Sequence, residues 1–293
     1  MKYTGRFAPS PTGPLHFGSL LAALASFLDA RAHQGRWLLR IEDLDPAREQ
    51  PGASDSFPRV LETFGLYWDD ACTLQSERLE FYQEILNTLL SQGDAYPCSC
   101  SRKAVQARSG SAIYDRYCLE HPVNNQKQAA IRVHCPDAPI CFEDRIQGHC
   151  CFDLQQHSGD FVVLRKDGLF AYQLAVVVDD HLQGITHVVR GSDLLSETPK
   201  QIHLQQKLAL NSPRYAHIPV ITNAQGQKLS KQTFAPALDL ANPVPQLIKA
   251  LDCLNQQPDP ALGDASTEEL LQWATGHWSP GNLPPQLKVP LSQ

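Results

Sequence analysis

The first forty-odd residues constrain the fold more than any other stretch of the chain. Gly5 to Pro9 is a short apolar-leaning run, and it breaks at once into the turn cluster Ser10-Pro11-Thr12-Gly13-Pro14. Beyond the turn, Phe17, Leu20, Leu21, Leu24 and Leu28 recur at i, i+3, i+4, i+7 and i+11, which describes a helix with one buried stripe that ends at Gly35. Trp37, Leu38, Leu39 and Ile41 then make a second apolar run, followed by the acidic exit Glu42-Asp43-Leu44-Asp45. Strand, turn, helix and strand in this order describe two parallel strands joined by a crossover helix, the unit of an α/β sheet.

Later segments extend the pattern. Val60 to Leu66 and Phe81 to Leu90 read as helices, with Pro58 delaying or kinking the first. From Tyr96 to about Gly159 the periodicity weakens, most of the nine cysteines gather, and Pro, Asn and Gln cluster, so this stretch reads as an insertion. Regular patterning returns with a strand at Phe161 to Leu164, a helix at Tyr172 to Asp179, a strand at Thr186 to Arg190 and a helix at Pro199 to Leu210. Two short helices, Leu247 to Leu254 and Glu268 to Thr275, precede a tail from Ser279 with four prolines, expected to lie extended or disordered.

Composition removes several classes of function. Of 293 residues, 42% are hydrophobic and 19% charged, which excludes wholesale disorder and fits one large or two modest domains. No stretch approaches the ~20 apolar residues of a membrane span, and the N-terminus has no apolar signal region, so a cytoplasmic protein is expected. A net charge of -6 excludes a protein that coats nucleic acid indiscriminately and leaves room for a local basic patch. Nine cysteines, an odd number unevenly placed, fit reduced thiols plus a metal better than a disulfide framework; Cys135, Cys141, Cys150 and Cys151 read as plain thiols, with opportunistic metal binding by the adjacent Cys150–Cys151 pair as the alternative.

Two segments carry chemistry. The Ser10–Ser19 loop joins a strand to a helix start, where backbone N–H groups and the positive helix end suit a phosphate and Gly18 admits a nucleotide closely. By itself it is equally an ordinary proline-rich turn with a surface histidine. The second is Lys228-Leu229-Ser230-Lys231-Gln232 behind Gly226, whose lysines suit the growing charge of a polyphosphate leaving group. Taken singly, such a cluster is usually solvated surface.

Together and in this order the segments resemble the class I aminoacyl-tRNA synthetases, with His16-Phe17-Gly18-Ser19 at the "HIGH" motif and Lys228 to Gln232 at the "KMSKS" motif. The glutamyl branch is the one resembled, through Gly5 to Gly13, Leu39-Arg40-Ile41-Glu42-Asp43, Val176 to His181 and Val189-Arg190-Gly191. Ser19 replaces the second His of the class motif and Gln232 the final Ser. The resemblance implies a Rossmann-like parallel-sheet catalytic domain in two halves, 1–95 and 161–222, around an inserted zinc-binding subdomain, 96–160. A loop and short helical part, 223–278, and the tail 279–293 follow.

The same resemblance implies the site. Arg6, Ala8, Ser10, Glu42, Tyr172 and Arg190 would bind L-glutamate, the guanidinium forks taking carboxylates and Glu42 the ammonium. His16, Gly18, Ser19, Lys228, Ser230 and Lys231 would bind ATP with its Mg2+, with His16 and Lys231 catalytic. Asp179 and Asp180 receive no role. Cys98, Cys100, Tyr114 and Cys118 would hold one structural zinc ion, with His121 the chemically ordinary alternative to Tyr114 as fourth ligand.

Only about sixty residues follow Lys231, so an anticodon-reading extension is not expected. This resembles the compact paralogues of the branch, which attach glutamate to the queuosine base in the anticodon of tRNA(Asp). The implied partners are ATP, L-glutamate and that anticodon arm, the chain acting as a monomer. The alternatives are a truncated synthetase charging a tRNA 3′ end, a small-molecule nucleotidyltransferase, and a non-catalytic binding paralogue.

Overall fold

The computed structural model describes residues 2–123, 129–223 and 236–290. β1 (Thr4–Phe7) leads into α1 (Phe17–Ala32) and returns as β2 (Arg36–Ile41), paired in parallel from Thr4↔Arg36 to Phe7↔Leu39. Gly35 makes the return possible, because a Cβ there would sit 2.6 Å from the Tyr3 carbonyl oxygen. β3 (Thr73–Leu74) adds in parallel beyond β2, after α2 (Ala53–Thr63). A second sheet has the order β7-β6-β10-β9, made of β6 (Ile140–Asp144), β7 (Gly148–Phe152), β9 (His187–Gly191) and β10 (Arg214–Ile218). Here β10 runs parallel to both β9 and β6, and only the β6–β7 hairpin is antiparallel.

The two sheets meet at β1, where the Thr186 N–H donates to the Thr4 carbonyl and the Thr4 N–H to Thr186 Oγ1, each at 2.9 Å. Strand order across the molecule is therefore β3-β2-β1-β9-β10-β6-β7, reversing its sequence direction at β1. Open α/β sheets bind ligands at that reversal, outside the carboxyl ends of the strands.

Strand alternation sorts the side chains. Trp37, Leu39 and Ile41 join one apolar cluster with Leu20, Leu24 and Leu28 of α1 and with Leu251 of α9 (Pro243–Cys253) and Leu270 of α10 (Thr267–His277). Each such leucine, fully buried, contributes about 1.5–3 kcal/mol. Leu38 and Val188 point the other way, into a cluster with α3 (Leu79–Ser91), α7 (Tyr172–Leu182) and α8 (Thr198–Lys207). Arg6, opposite Leu38, shares this second face, as do Arg40 and Arg190, two residues beyond Leu38 and Val188. Parity alone thus delivers three arginines to the face covered by α7.

The cysteine-rich stretch builds parts of two sheets. β4 (Ala95–Cys98), β5 (Ala130–Val133) and β8 (Phe161–Leu164) form an antiparallel sheet beside α4 (Arg102–Ser109), α5 (Tyr117–Glu120) and α6 (Leu154–His157), while Ile140–Phe152 extends the main sheet. Strands of four or five residues are too short to show clear alternation in the sequence. Cys141 and Cys151, expected as plain thiols, are joined by a disulfide across the β6–β7 hairpin, and Cys135 and Cys150 are free.

Two further expectations change. α2 begins at Ala53 rather than near Val60 and runs through Pro58. Ala53, Phe57 and Leu61 fall one turn apart and are buried, and this packing offsets the hydrogen bond that the proline cannot donate. The proline-rich tail is docked, with a 3-10 turn at Pro280–Asn282 before its extended part: Leu283 is buried, and β12 (Lys288–Pro290) pairs in parallel with β11 (Val220–Thr222). Among the described residues, no helix is long and apolar enough to cross a membrane.

Candidate active site

A cavity of about 870 Å³ opens at the carboxyl ends of β1, β2 and β9, a size suited to a nucleotide with a small second ligand. Arg6, Ala8, Ser10, His16, Gly18, Ser19, Glu42, Tyr172 and Arg190 all line it. These are the nine expected amino-acid and ATP residues that lie in the described part of the chain. Lys228, Ser230 and Lys231 lie outside the described residues.

His16 is the N-cap of α1. Its Nδ1 accepts from the Gly18 N–H at 3.1 Å and the Ser19 N–H at 3.4 Å, and Ser19 Oγ accepts from the His16 N–H at 3.5 Å, a capping box. The expectation of backbone N–H groups open to phosphate is therefore corrected at Gly18 and Ser19, whose donors the histidine takes. With Nδ1 accepting, the ring proton sits on Nε2, which can donate to a phosphate oxygen. His16 thus substitutes one positioned side-chain donor for the helix-end donors it caps.

The carboxylates come from α7. Asp179 and Asp180 stand near its C-terminal end, where the helix dipole disfavours negative charge, so they need cationic partners. Arg6 Nε and Nη2 reach Asp180 at 3.2 and 3.4 Å, and Arg40 Nη2 reaches it at 2.8 Å. Burial opposes the Asp180 charge, yet the two guanidinium groups outweigh it and hold the carboxyl below the usual range. Asp179 accepts from Gln75, Arg78 and Tyr82 at 2.6–2.8 Å. Arg6 spends its Nε and one Nη2 N–H on Asp180, which leaves the Nη1/Nη2 edge as its remaining pair of donors for a carboxylate.

Glu42 differs from these paired acids. Its Oε1 lies 3.5 Å from Arg40 Nη2 but is buried with no hydrogen-bond partner among the described residues. Burial, the largest influence, raises its pKa in spite of Arg40 and Arg6. A buried acceptor left unmade costs about 1–3 kcal/mol, and a ligand ammonium at this oxygen recovers that cost.

Arg190 is held by four neutral acceptors: His217 Nε2 at 3.0 Å, Tyr172 Oη at 3.2 Å, Thr198 Oγ1 at 2.8 Å and Gln201 Oε1 at 2.9 Å. His217 sits directly across from it in the β9–β10 register, and its Nδ1 donates to Asp144 Oδ2 at 2.6 Å. Burial depresses the His217 pKa to about 4, so the ring is neutral at physiological pH and its Nε2 lone pair faces Arg190. Burial opposes the Asp144 charge as well, but bonds from His217 and from the Ile146 and Gln147 N–H groups bring its pKa down to about 2. Of the five guanidinium N–H groups, four are committed and one on Nη1 remains, beside a Tyr172 hydroxyl that accepts from Arg190 and can still donate. A carboxylate meets two donors here, one from each residue.

The metal-ligand set also comes together. The sulfurs of Cys98, Cys100 and Cys118 lie within 4.8 Å of one another, and the Tyr114 hydroxyl accepts from the Cys118 N–H at 2.9 Å and reaches the sulfurs of Cys118 and Cys98. His121 stacks on Tyr117 and is not part of the group. Burial opposes ionisation of Cys118, but hydrogen bonds from Tyr114 and the Ser99 backbone bring its pKa to about 7. Arg132 Nε and Arg108 Nη2 donate to Cys98 and Cys100 at 3.2 and 3.3 Å, as neighbours of a thiolate site do. Three thiols with a phenol oxygen fit a tetrahedral zinc.

Arg40, Asp144, Asp180, Thr198, Gln201 and His217 were not assigned from the sequence. An arginine inside the apolar run Trp37–Ile41 signals a buried counter-ion, but only the packing of α7 over that face identifies Asp180 as that partner.

A nucleotide-sized crevice at the strand-order reversal, with a histidine-capped helix beside a set of buried arginines and acids, is the framework of a Rossmann-type ligase. The family described as "tRNA synthetases class I (E and Q), catalytic domain" matches residues 2–239, and the chain belongs to it. A protein of Pseudomonas fluorescens described as "Glutamyl-Q tRNA(Asp) synthetase" is 50% identical over 293 residues, 99% of this chain and 97% of that one. Proteins of the same description from Thiobacillus denitrificans and Neisseria meningitidis serogroup B are 54% and 52% identical, over 96% of this chain and 94% and 97% of theirs. Among solved structures, a glutamate tRNA ligase of Elizabethkingia meningosepticum in complex with its amino acid matches with TM-score 0.80 and 26% identity, across all of this chain and 67% of that one. The glutamate-tRNA synthetase of Elizabethkingia anophelis matches with TM-score 0.81 and 25% identity, across 68% of its length.

Proposed function

We propose that the chain activates L-glutamate with ATP and transfers it to the queuosine base in the anticodon of tRNA(Asp). The observation that carries the amino-acid half is the buried Glu42 oxygen, which has no hydrogen bond among the described residues and shares one cavity with Arg6, Tyr172 and Arg190. This charge pattern suits an α-ammonium with two carboxylates. The acceptor half is supported by relatives of that description, about half identical along nearly their full length.

In the first step the glutamate α-carboxylate attacks the α-phosphorus of ATP in line, and pyrophosphate leaves. Glu42 anchors the ammonium, while Arg190 with Tyr172, and the free edge of Arg6, orient the carboxylates. His16 Nε2–H donates to the phosphate as charge develops, with Lys231 and Lys228 on the leaving group and Gly18, Ser19 and Ser230 beside the nucleotide. ATP enters as its Mg2+ complex. In the second step a hydroxyl of the queuosine cyclopentene ring attacks the activated carbonyl, with AMP leaving; positioning supplies much of the rate. Zinc at Cys98, Cys100, Cys118 and Tyr114 would supply a structural cross-link in the β4–α5 region.

The test is pyrophosphate exchange with and without glutamate, followed by incubation with ATP, labelled glutamate and separate tRNAs. Glutamate-dependent exchange and labelling of tRNA(Asp) are expected. Exchange that ignores glutamate would refute the activation step, and label on tRNA(Glu) alone would refute the acceptor.

A further inference from the structure

We propose that the β6–β7 hairpin carries a second metal site, formed by Cys141, Cys151 and His149, which binds a zinc-class cation when the chain is reduced and is closed by the Cys141–Cys151 disulfide. It shares no residue with the Cys98 group and depends neither on that group nor on the enzymatic reading.

The hairpin register places Cys141 opposite Cys151 and Glu143 opposite His149. Alternation puts these four side chains on one face, and all four are exposed. The facing Cα atoms of Cys141 and Cys151 are 4.1 Å apart, and the two sulfurs and an imidazole nitrogen lie within 4.8 Å of one another. His149 Nδ1 is 2.6 Å from Glu143 Oε1, and Nε2 is 3.2 Å from Cys151 Sγ. With Nδ1–H donating to the Glu143 carboxylate, the Nε2 lone pair points toward the sulfurs. A carboxylate behind a histidine is the usual support of a metal-ligating ring. Two thiolates and one imidazole leave a fourth tetrahedral position for water. The ladder of the hairpin holds the ligands in place before any ion arrives.

The redox step balances simply. A phosphine and one water molecule deliver two electrons and two protons to the disulfide, giving two thiols and phosphine oxide. Binding of the cation then releases both thiol protons. In reverse, a diazene oxidant such as diamide takes two electrons from the two thiolates and two protons from water, giving the hydrazine and the disulfide, and the ion departs because its sulfur ligands no longer carry charge.

The full chain and Cys141→Ser are reduced with a phosphine under anaerobic conditions, stripped of metal, and titrated with Zn2+ and with Co2+ against a chromogenic chelator. The native chain is expected to bind one more equivalent than Cys141→Ser, and the extra Co2+ to bring thiolate-to-cobalt absorption. His149→Ala is expected to lose that equivalent, and Glu143→Gln to weaken it about 10- to 100-fold. Diamide should release one equivalent while mass spectrometry records the Cys141–Cys151 bond. Equal stoichiometry in the native chain and Cys141→Ser would overturn the site. An extra ion that His149→Ala binds equally well would overturn the ligand set, and one retained after disulfide formation would overturn the gating.

Discussion

Glu42→Gln tests the site most sharply, because activity and stability are expected to part. The amide keeps the shape and removes the charge. At 3.5 Å and an effective dielectric of about 20, Arg40 attracts the Glu42 carboxylate by about 5 kcal/mol. Desolvating the carboxylate costs several kcal/mol. The raised Glu42 pKa, with burial as its largest cause, says that desolvation wins. Arg40 keeps Asp180 at 2.8 Å, so it is not left unpaired. The thermal stability of the empty variant should therefore hold within about 1 kcal/mol or rise slightly. With glutamate present, a charge-assisted hydrogen bond worth about 1.5–3 kcal/mol is lost, so kcat/KM in glutamate-dependent pyrophosphate exchange falls about 10- to 150-fold, mostly through KM. In the native enzyme, activation declines as pH falls through the raised Glu42 pKa, and Glu42→Gln lacks that decline. A kcat/KM within twofold of native, or a loss of several kcal/mol of stability along with activity, would refute the reasoning.

Other expectations follow from the same structure. His217 has its folded pKa depressed to about 4 from an unfolded 6.5, so its stabilising contribution is full above 6.5 and is lost as pH falls toward 4. Roughly 3 kcal/mol is at stake in denaturant titrations over that window, and His217→Gln should flatten the slope. Leu283→Ala should cost about 2–4 kcal/mol by opening a cavity under the docked tail, read as a lower denaturation midpoint. Lys231→Ala should lower pyrophosphate exchange about 10²-fold or more, and near-normal exchange would remove it from the mechanism. Protein purified without chelator should carry zinc that Cys98→Ser loses, measured by elemental analysis after blocking the exposed hairpin thiols.

The opening strand–turn–helix–strand unit was legible because its apolar periodicity is long and regular. Leu20, Leu24 and Leu28 are buried as their spacing demands. The candidate site residues came from the motif resemblance rather than from any local pattern, and Arg6, His16, Glu42 and Arg190 line one cavity from strand ends and a helix cap. Their partners were less legible. His217 belongs to Arg190 only because β10 lies beside β9, and Asp180 to Arg6 only because α7 covers that face; neither adjacency has a local signal. Pro58 misled for the opposite reason: its local rule is strong, and the tertiary burial of Phe57 and Leu61 overrides it. The short strands around the cysteines lacked enough residues to display a period.

The acceptor is the central claim. Transfer labelled glutamate with ATP to tRNA(Asp) that carries queuosine and to tRNA(Asp) that lacks it, then digest and locate the labelled nucleotide. The account requires label on the queuosine nucleotide of the anticodon and none on the unmodified tRNA. Label at a 3′ terminal adenosine, or labelling indifferent to queuosine, would contradict it.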